Sequence, residues 1–114
     1  MSILAASMDD DLPLKPLEFL VLASLLPGPL HGYRIALDVS ERTTGRVKLR
    51  PGNLYRVLDR MLERGLIDVA ERRKDDERRT YYRITPAGKR AASAEAEMLA
   101  SVAAEVQFLL PRKA

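Results

Sequence analysis

The sequence predicts a mainly α chain with a small β-hairpin, an α+β arrangement, on three observations. Apolar residues recur at helical spacing in three successive stretches before Gly65. Between Leu66 and Thr85 the pattern changes to two short β-type runs around a charged block, Lys74 to Arg79. After Thr85-Pro86, small and apolar residues step by four and three as far as Leu110. At 114 residues the chain can build one modest core, and not a second independent domain beside it.

Residues 1–13 read as a flexible N-terminal arm, polar and acidic at Asp9, Asp10 and Asp11. Leu14 to Leu26 reads as the first helix, with Pro16 in its first turn, where a missing N–H costs little. Leu17, Phe19, Leu20, Val21, Leu22, Leu25 and Leu26 make it apolar almost all round, so it must be covered on more than one side. For so short a chain that is a first sign of dimerisation. Pro27-Gly28-Pro29 ends the helix and turns the chain. The second helix runs from about His31 to Arg42, with an apolar stripe at Tyr33, Ile35, Ala36, Leu37 and Val39, and Thr43-Thr44-Gly45 closes it. Arg46 to Arg50 is a basic connector, read as extended. Pro51 opens the third helix, which reaches Arg64. Its stripe is Leu54, Leu58, Met61 and Leu62; Asn53, Arg56, Arg60 and Arg64 lie on the other side, and Gly65 follows as a helix stop. Leu66–Arg73 and Thr80–Thr85 are the hairpin strands. Thr85 then caps a long final helix, with Pro86 at its first position.

Composition narrows the function. There is no cysteine and one histidine, His31, so thiolate chemistry, disulfides and Cys- or His-rich metal sites are excluded within one chain. No apolar run approaches the roughly 18 residues of a membrane helix, and the N-terminus lacks the layout of a signal peptide. A cytoplasmic location without membrane contact is the expectation. The formal charge is only +3, but it is unevenly placed. Arg42 to Arg90 holds fifteen Lys and Arg against seven Asp and Glu, a net +8, and the remainder carries −5. A basic middle between acidic flanks suits an anionic partner, though a solvated charged surface would read the same way.

Three helices followed by a two-stranded wing is a winged helix-turn-helix, here with a long C-terminal dimerisation helix added. The expected division is residues 14–86 as the DNA-binding domain and 87–114 as the dimerisation helix and tail. In this motif the later helix enters the major groove of double-stranded DNA. The base-reading candidates are therefore Asn53, Tyr55, Arg56 and Arg60: Arg pairs bidentately with guanine, Asn with adenine, and a ring edge packs on a thymine methyl. Tyr55 reads equally well as half-buried against the wing. Arg46, Lys48 and Arg50 precede the helix as phosphate candidates. Arg72, Arg73, Lys74, Arg78 and Arg79 on the wing suit phosphate neutralisation or entry into a narrow minor groove. Acidic Asp75, Asp76 and Glu77 at the tip oppose them. His31 is expected to cap or pack, and one of Tyr81 and Tyr82 to face the core. The seam Ala92, Ala96, Leu99, Ala103, Val106 and Leu110, widened by Val102 and Leu109, has little left in its own chain to pack on. With Leu17 and Val21 it forms the expected dimer contact. Two copies about a two-fold axis would read an approximate inverted repeat.

On these segments the sequence resembles the PadR family of bacterial regulators, in particular small members with a single C-terminal helix. The matching stretches are Leu17-Glu18-Phe19-Leu20-Val21-Leu22 and Gly28-Pro29-Leu30-His31-Gly32-Tyr33. Pro51-Gly52-Asn53-Leu54-Tyr55 and Glu63-Arg64-Gly65-Leu66-Ile67 follow, and Arg79 to Gly88 completes the set. They stand in family order and spacing over about residues 14–100. The resemblance implies a homodimer built largely by the first and last helices. It also implies repression of nearby genes, relieved by a small molecule. Some small members hold planar aromatic drugs between their long helices on aromatic side chains. This chain departs from that pattern, with no Trp and only Phe108 on its last helix, so no ligand residues are assigned. It also carries Arg50 where a small residue usually precedes the proline. A small hydrophobic effector completes the expected partners, and no cofactor is expected.

Three other readings stand beside this one. The alternative function is a winged-helix protein-interaction module without specific DNA binding, since a fold does not fix its partner. A metal sensor would have to rely on carboxylates such as Glu95, Glu97 and Glu105. An enzyme is disfavoured, because no nucleophile is evident beside His31 and no Gly-rich phosphate loop follows a strand.

Overall fold

The computed structural model describes residues 13–73 and 76–112, and for residues 72, 73 and 76–79 it describes the backbone. The elements follow the chain as α1 (Pro16–Leu25), β1 (Leu30–His31), α2 (Gly32–Arg42), α3 (Pro51–Glu63), β2 (Ile67–Arg73), β3 (Asp76–Ile84) and α4 (Pro86–Leu109). They form a winged helix-turn-helix with a long C-terminal helix.

α1 sits at the centre, packed on α2, α3, β3 and α4. Its all-round apolar character follows from that position. Val21, Leu22 and Leu25 are buried, and Leu17, Phe19 and Leu20 are half-buried against the same core. The chain therefore covers most of α1 itself, and this helix alone is no argument for a second copy. The stripe of α2 contributes Ile35 and Val39 to the core, and that of α3 contributes Leu54, Val57, Leu58 and Met61. Tyr33 and Leu37, expected on the inner face of α2, stay exposed instead. They lie one turn apart on the side opposite Ile35 and Val39, with the ring of Tyr33 stacked beside that of His31 at 6.5 Å.

The sheet has three antiparallel strands in the order β1-β3-β2, not the two of a simple hairpin. Leu30 pairs with Tyr82 and His31 with Tyr81. A two-residue strand carries no periodicity to read, so only the pairing reveals it. The hairpin is also longer than its apolar residues imply. β2 and β3 remain paired to Arg73 opposite Asp76, with irregularities between Val69 and Glu71 and between Arg72 and Arg73. Pairing is a backbone property, and no Gly or Pro interrupts residues 67–84, so the charged stretch 76–79 joins β3. Tyr82 is the core tyrosine.

Two buried carboxylates tie the start of the chain's described part to the body. Glu18 accepts a hydrogen bond from the Lys15 backbone N–H at 2.9 Å and one from Arg64 Nη1 at 3.2 Å. Glu95 of α4 accepts from the Leu14 N–H at 3.1 Å. Each buried carboxylate has a donor, as a desolvated charge requires.

Candidate nucleic-acid interface

The approach to α3 is set by the end of α2. Thr43 Oγ1 donates to the Val39 carbonyl and accepts from the Val47 N–H at 3.0 Å, while Thr44 and Gly45 take positive φ values of 54° and 77°. The Gly45 N–H reaches back to Ser40 O at 2.7 Å, closing the helix end. The connector then alternates. Val47 and Leu49 turn towards the core, and Arg46, Lys48 and Arg50 are exposed between them. It forms no strand among the described residues, yet its period of two places three cations on one side. Arg50 is the N-cap of α3 and makes no side-chain cap bond; Pro51 fills the first helical position. The first turn therefore presents backbone N–H groups beside an uncommitted guanidinium, a suitable setting for a phosphate.

α3 exposes Asn53, Tyr55 and Arg56 and half-exposes Arg60, with Leu54, Val57, Leu58 and Met61 on its buried side. Tyr55 keeps 40% of its surface exposed. Its hydroxyl end lies at the first turn of α2, where a Cβ added to Gly32 would sit 3.1 Å from it. The partner expected for its buried part was the wing; the structure supplies α2 instead, with Gly32 leaving room for the ring.

Arg34, Arg42 and Arg64 have carboxylate partners. Arg42 bonds Asp38 at 2.6 Å, Arg34 approaches Glu41 at 3.9 Å, and Arg64 bonds Glu18. Among the described residues no carboxylate lies within 4 Å of Arg46, Lys48, Arg50, Arg56 or Arg60. Asp59 and Glu63, on the same helix, make no ion pair with Arg56 or Arg60 within that distance. Partial burial raises the Asp38 carboxyl, but hydrogen bonds from Arg42 and Ser24 and the charges of Arg42 and Arg34 outweigh it, so its pKa falls below the ordinary value.

The β2–β3 wing bears Arg72, Arg73, Arg78 and Arg79. Those four side chains, and the whole of Lys74, lie outside the described residues. His31 caps α2, its Nδ1 accepting from the Arg34 N–H at 3.2 Å, and its ring meets Tyr81 edge-on at 5.3 Å. It thus joins α2 to the wing. No cluster of His, Cys, Asp or Glu suited to a metal occurs among the described residues, and Glu95 is committed to Leu14.

On α4, the residues expected for dimer contact divide at Glu95. Ala92 is buried against the chain's own core, as is Val21 on α1, so neither offers surface to a second copy. Ala96, Leu99, Val102, Ala103, Val106 and Leu110 are exposed, and Leu17 is half-buried. Sequence reasoning missed the Glu18–Arg64 pair and the Glu95 bond. The signal available was weak: a carboxylate in each of two apolar stretches, with nothing local to show its partner.

The sequence profile of the PadR-like transcriptional regulator family matches residues 21–94. An uncharacterised 37.1 kDa protein in transposon Tn4556 of Streptomyces fradiae is 35% identical over 89 residues, which is 78% of this chain and 24% of that protein. A transcriptional regulator of Mycobacterium tuberculosis is 34% identical over 76 residues, 67% of this chain and 58% of its own length. The chain thus spans about a quarter of the first relative and little over half of the second. A transcriptional regulator from Clostridium thermocellum shares the fold with a TM-score of 0.71 at 22% identity, over 97% of this chain and 100% of its own. A PadR family regulator from Clostridium difficile does so with a TM-score of 0.70 at 24% identity, over 84% and 100%. The profile match runs from within α1 through α3 and the wing into α4, and the chain belongs to the PadR-like family of transcriptional regulators.

Proposed function

We propose that the chain is a sequence-specific double-stranded DNA-binding regulator, acting as a homodimeric repressor that a small hydrophobic effector releases. The observation that carries the DNA reading is the set of uncompensated cations at α3. Arg46, Lys48, Arg50, Arg56 and Arg60 stay unpaired among the described residues, while Arg34, Arg42 and Arg64 have carboxylates. Lys89 and Arg90 on α4 also lack a carboxylate within 4 Å among the described residues, so it is the grouping of five cations along the connector and α3, rather than their being unpaired, that favours an anionic partner. In this reading residues 14–86 bind DNA. Asn53, Tyr55, Arg56 and Arg60 meet base edges, and Arg46, Lys48 and Arg50 hold phosphates, with Arg72, Arg73, Lys74, Arg78 and Arg79 as wing contacts.

The dimer reading rests on the bare apolar face of α4. Leu99, Val102 and Val106 are between 41% and 52% exposed on one chain and would be covered by a two-fold partner within residues 87–114. Two recognition helices about 34–36 Å apart would then enter successive major grooves of an inverted repeat. Repression and effector release follow from family likeness alone, and no pocket residue is assigned.

The test is fluorescence anisotropy on random-sequence duplex and on the DNA flanking the chain's own gene, each titrated with salt. Tighter binding to the flanking DNA, with affinity falling steeply with salt on both, is the expected result, because each neutralised phosphate releases counterions. No binding to either duplex at low salt would remove the DNA reading and leave a protein-interaction module.

A further inference from the structure

Residues 64–66, at the exit of α3, are held by α4 through two separate routes. The direct route is Thr85. Its Oγ1 donates to the Gly65 carbonyl at 2.7 Å and accepts from the Gly88 N–H at 3.0 Å, so one hydroxyl uses its proton on the end of α3 and a lone pair on the start of α4. The Thr85 backbone N–H adds a bond to Leu66 O at 3.1 Å. Gly88 lets the helices close: a Cβ there would stand 2.2 Å from Leu66 O. The indirect route starts at Glu95, which holds the Leu14 N–H. The next residue, Lys15, gives its N–H to Glu18, and Glu18 holds Arg64.

From these contacts we infer that Thr85 is a positioning residue that fixes the angle between α3 and α4, and thereby the half-site spacing a dimer reads. The inference rests on the proposed roles of α3 as recognition helix and α4 as dimer helix. A single attachment would leave α4 a pivot. Thr85 and Glu95 are ten residues apart, about 15 Å along the helix, so together they define a direction. From Gly88 to Leu109 is a lever of about 32 Å, and a tilt of roughly 10° at its base moves the far end by roughly 5 Å. That exceeds one base-pair step of about 3.4 Å. A loosened joint therefore blurs the distance between two recognition helices without altering the surface of either.

The experiment begins with duplexes that the wild-type chain selects from a randomised pool. The selected inverted repeat is then rebuilt with its half-sites moved by one and two base pairs in either direction, and as a lone half-site. Wild type is expected to lose about tenfold in affinity for a one-base-pair change, the scale of a misplaced contact. Thr85→Val keeps the side chain's shape and removes both hydroxyl bonds. It is expected to flatten that preference to within about threefold while leaving lone half-site affinity within about twofold of wild type. Thr85→Ser, which keeps the hydroxyl, should restore the preference. Glu95→Met, which frees the second attachment only, should flatten it as Thr85→Val does and serves if that variant fails to fold. A preserved spacing preference in the folded variants overturns the inference, as does equal loss on the lone half-site.

A second readout needs no DNA. The chain has no cysteine, so spin labels at Asp59→Cys and Ser101→Cys, on labelled chains diluted with unlabelled ones, report the α3–α4 distance directly. A broader distance distribution in the Thr85→Val background supports the joint, and an unchanged one overturns it. Should wild type select no duplex, the DNA reading fails while these distances still decide whether Thr85 holds the helices.

Discussion

Gly88→Ala separates what helix propensity dictates from what packing dictates, because the two predict opposite signs. In a helix, Ala is favoured over Gly by about 0.8–1.0 kcal/mol, so propensity alone makes the variant more stable. The structure says otherwise. The new Cβ would meet Leu66 O at 2.2 Å and Ile84 Cγ1 at 2.8 Å. A carbon–oxygen contact settles near 3.3 Å, so the start of α4 must back away by about 1 Å. Ile84 can turn its side chain, but Leu66 O belongs to the backbone and already accepts from the Thr85 N–H. Retreat stretches that bond and the Thr85 Oγ1 bond to Gly65, each worth about 0.5–1.5 kcal/mol net. Residual overpacking adds about 1–3 kcal/mol where relaxation is incomplete. Set against the propensity gain, the net expectation is a loss of about 2 kcal/mol.

Urea unfolding followed by circular dichroism measures this, at one fixed protein concentration because any association raises apparent stability. The midpoint should fall with little change in slope. Gly52→Ala is the matched control. Gly52 lies in the first turn of α3, and an added Cβ meets nothing within 4 Å, so this variant should gain up to about 1 kcal/mol. If Gly88→Ala proved as stable as wild type or more so, the close approach of α4 to the α3 exit would be wrong, and the joint built on it with it.

Arg56→Ala or Asn53→Ala should weaken binding to a selected duplex by about 1–3 kcal/mol and relax preference at one base position. Losses equal on specific and random duplex would mean that α3 does not read bases. Leu99→Lys or Val106→Lys places an unpartnered charge in the proposed seam and should convert the protein to monomer on sedimentation; a dimeric variant refutes the seam. Glu18→Ala strips Arg64 and the Lys15 N–H of their acceptor. It should cost about 2 kcal/mol of stability, below the ~3–5 of a fully buried pair because 31% of the Arg64 side chain remains exposed. Asp38 has a depressed folded pKa, so the unfolded chain binds its proton first as pH falls. Its contribution is complete above the ordinary carboxylate value of 3.8 and lost as pH drops through the lower folded value. Asp38→Asn should flatten the acid limb of stability against pH, and an unchanged limb would show that Arg42 and Arg34 do not favour the ionised form.

The helices were legible because each carries its own punctuation. Pro16, Pro51 and Pro86 stand at helix starts, and Thr43 to Gly45 and Gly65 stand at helix ends, all within a few residues of the stripe they bound. The exposed cations of α3 were legible as the complement of its apolar stripe. What the sequence concealed is what depends on distance along the chain. β1 exists only through β3, some fifty residues later. Glu18 and Arg64 are separated by 46 residues and Leu14 and Glu95 by 81, and nothing local to either carboxylate shows its partner. Val21 and Ala92 show the same limit. Periodicity put them on an apolar face, but not on which side of it, and the chain's own core claims both.

Glu95 also bounds how much of α4 a second copy could use. Gly88, Ala92 and Glu95 are spaced four and three apart and turn the same way, and the chain buries all three. The next steps along that face, Leu99, Val102 and Val106, are bare. One helical face therefore does two jobs in succession. Its first part closes the chain's own core, with the carboxylate spent on Leu14, and its second part stands in solvent. From Ala96 to Leu109 the free part is about two heptads, a short coiled coil by itself. An ordinary stable interface hides about 800 Å² on each partner, which two heptads of largely alanine and valine supply only in part. The half-buried apolar residues Leu17, Phe19 and Leu20 of α1, the helix against which α4 packs, offer further surface of the right character. In the proposed dimer, then, the exposed half of one α4 would lie against its counterpart and reach the partner's α1.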